Sequence, residues 1–388
     1  MRVLVIHTYY KLAGGEDSVV QNEMALLQKN GHNVQLLSFD NSRNTWLNLL
    51  LLPFNFFSYF KTRRQIIKFR PEVIHIHNIH FAASAAVIYA ARHLNVPMVL
   101  TLHNYRYLCP SGSLYFKGAL FMDSLRSEFP WQAVRQGVYR NSKALTFWLA
   151  LSNYLHKKLD TFNYVSTFIV LGAHSKEMFH STYFRKMAGR FAVKPNYVPD
   201  KEAQENSNGK YFLYIGRLTE EKGIKTLLRA FSYYGYDLKI AGSGPLENEV
   251  LKATKNFRNI TFLGHSSSVE IDLLLNNAKA LIFPSEWYET FGMVMAEAFS
   301  KSVPVIASRL GNITTIVEDG KSGLLFEAGN PDDLMEKITH FETLSDDSKG
   351  SFKKLARAAY EKKYAPAANY IELIGIYKRT ISKQTYHP

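Results

Sequence analysis

Two glutamates, Glu289 and Glu297, stand eight positions apart in PSEWYETFGMVMAEAFSKSVPVIAS, residues 284–308, with Phe291 and Gly292 between them. The apolar run ALIF ahead of Pro284 reads as a strand, Ser285 to Thr290 as its exit loop, and Phe291 to about Ser300 as a helix. The first N–H groups of a helix lack partners within it and face the positive end of its dipole, so the backbone of Phe291, Gly292, Met293 and Val294 offers an anion site. Gly292 has no side chain to obstruct the approach. Helical side chains lean toward the N-terminus, so Glu297 reaches back to the same mouth while Glu289 approaches from the loop. Eight helical residues span ~12 Å, more than the roughly 5–9.5 Å that separates the carboxylates of a glycosidase. The spacing favours two anchors for hydroxyl groups with an anion between them. A nucleoside diphosphate sugar has that layout; a solvated glutamate on a surface helix is the plain alternative.

A second cluster supplies positive charge. In YIGRLTEEKG, Arg217 follows Gly216 at the end of an apolar run, and Lys222 comes five residues later. A guanidinium fork and an ammonium at one strand exit can clamp a diphosphate; a salt bridge from Lys222 to Glu220 or Glu221 is the plain alternative. His103 closes the run PMVLTLH, at the carboxyl edge of a strand where sites form. His75, His77 and His80 invite a metal reading, but the alternation suits a strand exit, and no carboxylate or cysteine adjoins them in sequence.

These residues need two open α/β sheets to position them. RVLVIH, NVQLLSF, EVIHIH, PMVLTLH and STFIVLG read as buried parallel strands alternating with helices, the first helix running from about Asp17 to Gly31. The pattern restarts with YFLYIGRL, DLKIAGSG, ITFLGH, ALIFPS and PVIAS, after a linker near KPNYVPDKEAQENSNGK. The expected organisation is two Rossmann-like domains facing across a cleft: residues 1–195, residues 196–365, and a tail, 366–388, packing back on the first domain.

The totals agree with that. At 388 residues the chain exceeds one typical core, and 46% hydrophobic content suits globular packing. The single Cys109 rules out an intrachain disulfide and fits a reducing cytoplasm. No signal peptide is visible, and the longest uncharged stretch, 44–60, contains Pro53 and falls short of a bilayer span. Residues 1–200 hold 23 Lys and Arg against 10 Asp and Glu, so nearly all of the net charge of +14 lies there. No nucleic-acid-binding signature accompanies that charge, so no nucleic acid is expected. WLNLLLLPFNFF leading into YFKTRRQIIKFR reads either as an apolar surface with basic flanks lying on an anionic membrane, or as a buried helix followed by a solvated one.

GRLTEEKG, IAGSGPLENEV, ITFLGH and the 284–308 stretch, in this order, resemble the C-terminal half of the family four retaining glycosyltransferases, which are two-domain GT-B enzymes. The resemblance is close from Tyr211 to about Phe326 and looser before it. It implies that Glu289 holds hydroxyls of the donor sugar, Glu297 holds the ribose, and Arg217 and Lys222 neutralise the diphosphate. Backbone amides of Phe291 to Val294 would touch phosphate and sugar, with Gly264 near the base and Asn196 of the linker among the donor-binding residues. LAGGED matches the family's glycine loop, where Gly14 and Gly15 let the backbone approach the donor phosphates, and His103 resembles the histidine beside the transferred sugar. Tyr197 after Asn196, and Glu16 with Asp17 after the glycines, depart from the family pattern and leave the acceptor contacts open.

The implied reaction is transfer with retention by a front-face route, from a nucleotide-sugar donor to a glycan or lipid-linked glycan in surface polysaccharide assembly. No D-x-D occurs, so no metal and no separate cofactor are expected. The expected location is cytoplasmic, with peripheral association at the membrane's inner face. A GT-B nucleotide-sugar epimerase and a non-catalytic nucleotide-sugar-binding protein are the alternatives; sugar epimer formed without acceptor, or binding without transfer, would identify them.

Overall fold

The structure, a computed structural model, describes residues 1–10, 14–42, 45–200, 209–233 and 235–385. Lys11, Leu12 and Ala13 of the glycine loop, and residues 201–208 of the expected linker, lie outside the described residues. In chain order the strands are β1 (Arg2–Tyr9), β2 (Asn33–Asp40), β3 (Val73–Ile76), β4 (Met98–Leu102), β5 (Tyr115–Phe116), β6 (Ala119–Leu120), β7 (Thr167–Val170) and β8 (Phe191–Val193). There follow β9 (Tyr211–Ile215), β10 (Leu238–Ala241), β11 (Ile260–Gly264), β12 (Ala278–Phe283), β13 (Val305–Ser308) and β14 (Gly323–Phe326). The chain divides into two compact units, one of Met1–Leu114, Phe121–Asn196 and Asn369–Pro388, the other of Tyr115–Leu120 and Tyr197–Ala368.

The first unit carries a parallel sheet in the order β2-β1-β3-β4-β7-β8. β1 is the hydrophobic run of the opening residues, and it is buried because β2 and β3 flank it in register, Val5 opposite Leu36 on one side and His75 on the other. The first helix, Gly15–Lys29, starts two residues earlier than the apolar spacing indicates, because Asp17 accepts from the Gly14 N–H and caps it. Val3, Val5, Val20, Leu27, Val73, Val99 and Ile169 form a core that Leu373, Ile376 and Tyr377 of the last helix, Pro366–Thr385, complete.

The second unit has the order β11-β10-β9-β12-β13-β14, again parallel. Strand order reverses between β9 and β12, and open α/β sheets bind ligands beyond the carboxyl ends of the strands at such a reversal. In the first unit the corresponding point lies between β1 and β3. The short strands β8 and β14 and the hairpin β5-β6 have no counterpart in the sequence-based reading.

The run ahead of the basic stretch does not form a buried helix. Thr45–Leu50 is helical with no buried residue, and Trp46 is 83% exposed. Asn55 then caps the helix Phe56–Phe69 by accepting from the Phe57 and Ser58 N–H groups. Ser58, Thr62, Ile66 and Phe69 face inward, while Phe57 and Phe60 are 70% and 64% exposed beside the exposed Lys61, Arg64 and Lys68. Among the described residues, no helix is long and apolar enough to cross a membrane.

Candidate functional site

The exits of β9 and β12 are stitched together at the reversal in the second sheet. Gly223 sits at φ +71, and a Cβ there would lie 1.8 Å from the Pro284 carbonyl oxygen, so only glycine lets the two backbones approach this closely. The Glu286 N–H donates to the Glu221 carbonyl at 2.8 Å, and Thr226 donates to the Glu286 carboxylate at 2.5 Å. This seam places Lys222 against the 285–290 loop.

Glu289 is the hub. It is 5% exposed, and its Oε1 accepts from Lys222 Nζ at 2.5 Å, Ser285 Oγ at 2.7 Å and Trp287 Nε1 at 2.7 Å. The Lys222 ammonium also lies 5.1 Å from the centre of the Trp287 ring. Lys222 therefore pairs with neither acidic neighbour in sequence: Glu220 is bound by Lys225, and Glu221 has Arg217 at 3.6 Å. Arg217 keeps 67% of its side chain exposed at that distance. Sequence reasoning missed Asn312, which is fully buried and donates to the backbone carbonyls of Glu289 at 3.2 Å and Thr290 at 2.9 Å. A lone asparagine ahead of a short helix carries no signal of that task. Trp287 and Ser285 lay within the quoted stretch but had no assigned part.

The helix beyond the loop is Met293–Ser300, two residues shorter at its start than expected, with Gly292 as its cap. Gly292 has φ +84, and a Cβ would meet Met295 Cε at 2.6 Å and Phe283 Cζ at 3.0 Å. Phe291 is 2% exposed and packs on Tyr364, so its side chain is structural and only its backbone can serve a ligand. Met293, Val294 and Glu297 are partly buried on this helix. Gly264 ends β11 at φ +72 and accepts from the Gly242 N–H at 2.7 Å. The second unit thus gathers Arg217, Lys222, Gly264, Glu289, Phe291 to Val294 and Glu297 at the carboxyl edge of one sheet. A diphosphate there would find two cations, free helix amides and carboxylate acceptors for hydroxyls.

Gly14, Gly15, His103 and Asn196 belong to the first unit. A Cβ on Gly14 or Gly15 would meet nothing within 4 Å, and Gly14 is extended, so neither glycine is required by packing or by a left-handed turn. Asp17 accepts at 2.7 Å from His7 Nε2. Glu16, beside it, is pushed up to about 8 by burial, against the pull of Arg106. Asn196 is 6% exposed beyond β8. His103 Nε2 lies 3.0 Å from His77 Nδ1 with the rings stacked, and burial holds His103 well below the usual histidine range.

The histidine trio is not one cluster. His80 Nε2 accepts from Arg106 at 2.7 Å, while His75 and His77 stand over Glu23, whose Oε1 is 2.8 Å from His75 Nδ1 and 3.2 Å from His77 Nε2. A carboxylate does stand by the histidines, contrary to what their sequence neighbours show; it comes from the first helix. These three groups gather within 4.8 Å, a spacing a metal ion could use. The Lys194 ammonium already occupies the other carboxylate oxygen at 3.0 Å, and His75 Nε2 is bonded to Thr101 at 2.7 Å.

Comparison with known proteins agrees across both units. The family model described as Glycosyltransferase Family 4 matches residues 13–200, and that described as Glycosyl transferases group 1 matches residues 199–362. An uncharacterized glycosyltransferase of Methanocaldococcus jannaschii, MJ1178, is 28% identical over 355 residues, 87% of each chain. The alpha-monoglucosyldiacylglycerol synthase of Acholeplasma laidlawii is 23% identical over 342 residues, 83% of this chain and 80% of that one. The crystal structure of Anabaena Alr3699/HepE in complex with UDP and glucose matches with a TM-score of 0.65 at 15% identity, covering 98% of this chain and 100% of that one. With two parallel Rossmann-like sheets and both family models matched in order, the chain belongs to the GT-B glycosyltransferases.

Proposed function

We propose that this transferase moves a sugar, with retention of anomeric configuration, from a nucleoside diphosphate sugar to a glycan or lipid-linked glycan acceptor in surface polysaccharide assembly. The observation that supports this reading is that Lys222, Arg217 and the helix start after Gly292 all lie at the carboxyl edge of the second sheet, the groups a diphosphate needs. Glu289 and Glu297 hold hydroxyls of the sugar and the ribose on either side, and Asn196 and Gly264 complete the donor contacts. Gly14 and Gly15, which packing does not require, allow the backbone to come close to the donor phosphates. Neither Glu289 nor Glu297 is placed as an obvious nucleophile, which favours a front-face route. The bond from the anomeric carbon to the phosphate oxygen breaks, and charge on the leaving diphosphate is stabilised by Arg217, Lys222 and the helix amides. The acceptor oxygen bonds to the same face of the anomeric carbon, and its proton passes to the departing phosphate oxygen. His103 orients the sugar. The chain has no D-x-D, so the route is metal-independent and EDTA should leave transfer intact.

Thermal-shift screening of nucleotide sugars tests the donor reading, starting with UDP and UDP-glucose because HepE binds UDP. A true donor at 100 times its Kd adds about 2.7 kcal/mol of stability. A panel without any stabilising nucleotide would end the proposal.

The acceptor side is the finer part of the reading. Trp46, Phe57 and Phe60 stand out into solvent among Lys61, Arg64 and Lys68, the combination that lies on anionic lipid. A relative that by its name makes a glucosylated diacylglycerol supports a lipid acceptor. Binding to phosphatidylglycerol vesicles, lost in high salt and in a Phe57→Ser/Phe60→Ser variant, is the expected outcome; equal binding to neutral vesicles would remove the basic helix from the account.

A further inference from the structure

His75 on β3 and His77 just past it share one face, because alternate residues of an extended chain point the same way, and their ring centres are 4.1 Å apart. Glu23 of the first helix meets both. His75, His77 and Glu23 are 0%, 4% and 4% exposed. Glu23 Oε1 lies 2.8 Å from His75 Nδ1 and 3.2 Å from His77 Nε2. Among the described residues, however, neither Glu23 Oε1 nor His77 Nε2 has a hydrogen-bond partner. Polar atoms buried in that state are costly and rare in folded proteins. A carboxylate oxygen and an imidazole nitrogen that approach this closely with no hydrogen bond between them are arranged as ligands of one cation.

The other polar atom of each group is already anchored. Glu23 Oε2 accepts from Lys194 Nζ at 3.0 Å, His75 Nε2 is bonded to Thr101 Oγ1 at 2.7 Å, and His77 Nδ1 to His103 Nε2 at 3.0 Å. Metal-binding histidines are held in this way, the ring nitrogen away from the ion donating its hydrogen to a fixed acceptor. Burial drives His77 down to about 4, so its ring is neutral at pH 7, the form that binds a metal. Burial works against the charge on Glu23, but Lys194 and the two histidines hold it well below the usual carboxylate range. A fourth donor comes from the last helix. Tyr377 Oη is fully buried and 2.7 Å from His75 Nδ1, on the side from which an ion would reach that nitrogen.

We propose that Glu23 Oε1, His75 Nδ1 and His77 Nε2, with the Tyr377 hydroxyl in the fourth position, hold a structural zinc ion inside the first unit. Four nitrogen and oxygen donors suit zinc, and a site closed to solvent is a structural one. The same set of two histidines and a carboxylate serves iron(II) where positions stay open to a substrate, which burial prevents here. Binding breaks the Tyr377–His75 hydrogen bond, and the phenol releases its proton to solvent, because a bound cation reverses the direction in which burial drives a phenol. The phenolate and Glu23 then balance the ion, and Lys194 keeps its place on Glu23 Oε2. The ion joins the first helix, β3 and the last helix, so it fastens the end of the chain to the sheet. It takes no part in sugar transfer, and ligands this buried release an ion slowly, so transfer in EDTA stays intact over an assay.

The test uses the full-length protein, produced without a histidine tag and purified without chelator. Elemental mass spectrometry should find stoichiometric zinc. The zinc X-ray absorption spectrum should show nitrogen and oxygen neighbours at about 2.0–2.2 Å, with imidazole scattering and no sulfur. Prolonged dialysis against dipicolinate should remove the ion and lower the Tm by about 5–10 °C, and added zinc should restore it. Cobalt(II) in place of zinc should give the visible absorption of a four-coordinate ion. His77→Gln should lose both the zinc and the cobalt spectrum, and Tyr377→Phe, which leaves three ligands, should keep the ion with an altered cobalt spectrum. Should His77→Gln not fold, the metal content, X-ray absorption and cobalt spectrum of the wild type still decide. Wild-type protein that purifies without metal and takes up neither zinc nor cobalt overturns the proposal. So does an ion bound without imidazole, stoichiometric iron in place of zinc, or zinc retained in full by folded His77→Gln. An unchanged Tm in the stripped protein overturns the structural role, and an unchanged cobalt spectrum in Tyr377→Phe removes the fourth ligand.

Discussion

Lys222→Met removes the ammonium that joins the exits of β9 and β12 while keeping most of the aliphatic stem. The two side chains of the pair are 17% and 6% exposed, so Glu289 would remain buried with Ser285 and Trp287 as its neutral donors. At 2.5 Å and an effective dielectric constant of about 20, the direct attraction is roughly 7 kcal/mol, a gross figure largely offset by the desolvation of both groups. What the variant exposes is the cost of a buried charge without its partner, about 3–5 kcal/mol. Two remaining donors to the same oxygen argue for the lower end, ~3 kcal/mol. For a unit of this size that corresponds to a fall of ~6–12 °C in the Tm of its transition. Removing the charge as well, in Lys222→Met/Glu289→Gln, should restore much of the loss and give a coupling of about 2–3 kcal/mol in a double-mutant cycle. The assay is urea unfolding of the four proteins at pH 7.5, followed by circular dichroism and by tryptophan fluorescence, to which Trp287 contributes. A loss below about 0.5 kcal/mol, or a coupling that small, is what an exposed pair gives and would show that the ammonium does not hold Glu289 in solution.

Gly292→Ala should destabilise by about 1–3 kcal/mol, because alanine at φ +84 is strained and its Cβ would press on Met295 and Phe283; equal urea midpoints for variant and wild type would refute the strain. The folded-state value for Glu16, about 8, lies above its ordinary 4.5. Between those values the folded protein keeps a proton that the unfolded chain has released, so this group makes stability fall as pH rises from ~5 to ~8. Glu16→Gln should flatten that decline and be more stable than wild type at pH 8, on the order of 1–3 kcal/mol after allowance for partial exposure. Parallel Tm curves across that range would contradict the assignment.

Much of the site was legible because its signals are local. Gly216 and Arg217 end an apolar run, Gly292 opens a helix, and the 284–308 stretch contains its strand, loop and helix within a few residues. The partners of these groups were not legible, because they come from distant parts of the chain. Lys222 has two acidic neighbours in sequence, but the seam that Gly223 permits brings it to Glu289, sixty-seven positions away. Glu23 occupies an inward position on a helix whose polar residues otherwise read as solvated, and only the packing of that helix on β3 shows that it faces two histidines. Asn312 reaches two carbonyls that no spacing rule connects to it. The apolar run before Pro53 was ambiguous because hydrophobicity alone does not distinguish a buried helix from an uncovered one. Short strands such as β8, three residues long, carry too little periodicity to be seen.

The core of the first unit contains Leu373, Ile376 and Tyr377, near the end of the chain, and the second unit includes the hairpin β5-β6 from the middle of the first. Neither unit is a contiguous piece of polypeptide. During synthesis the amino-terminal sheet emerges early but has to wait for the last helix to leave the ribosome before its interior is complete, so its maturation follows that of a neighbour made after it. A gene cut at residue 196 should accordingly give an amino-terminal fragment that is soluble only when the carboxy-terminal helix is supplied alongside it.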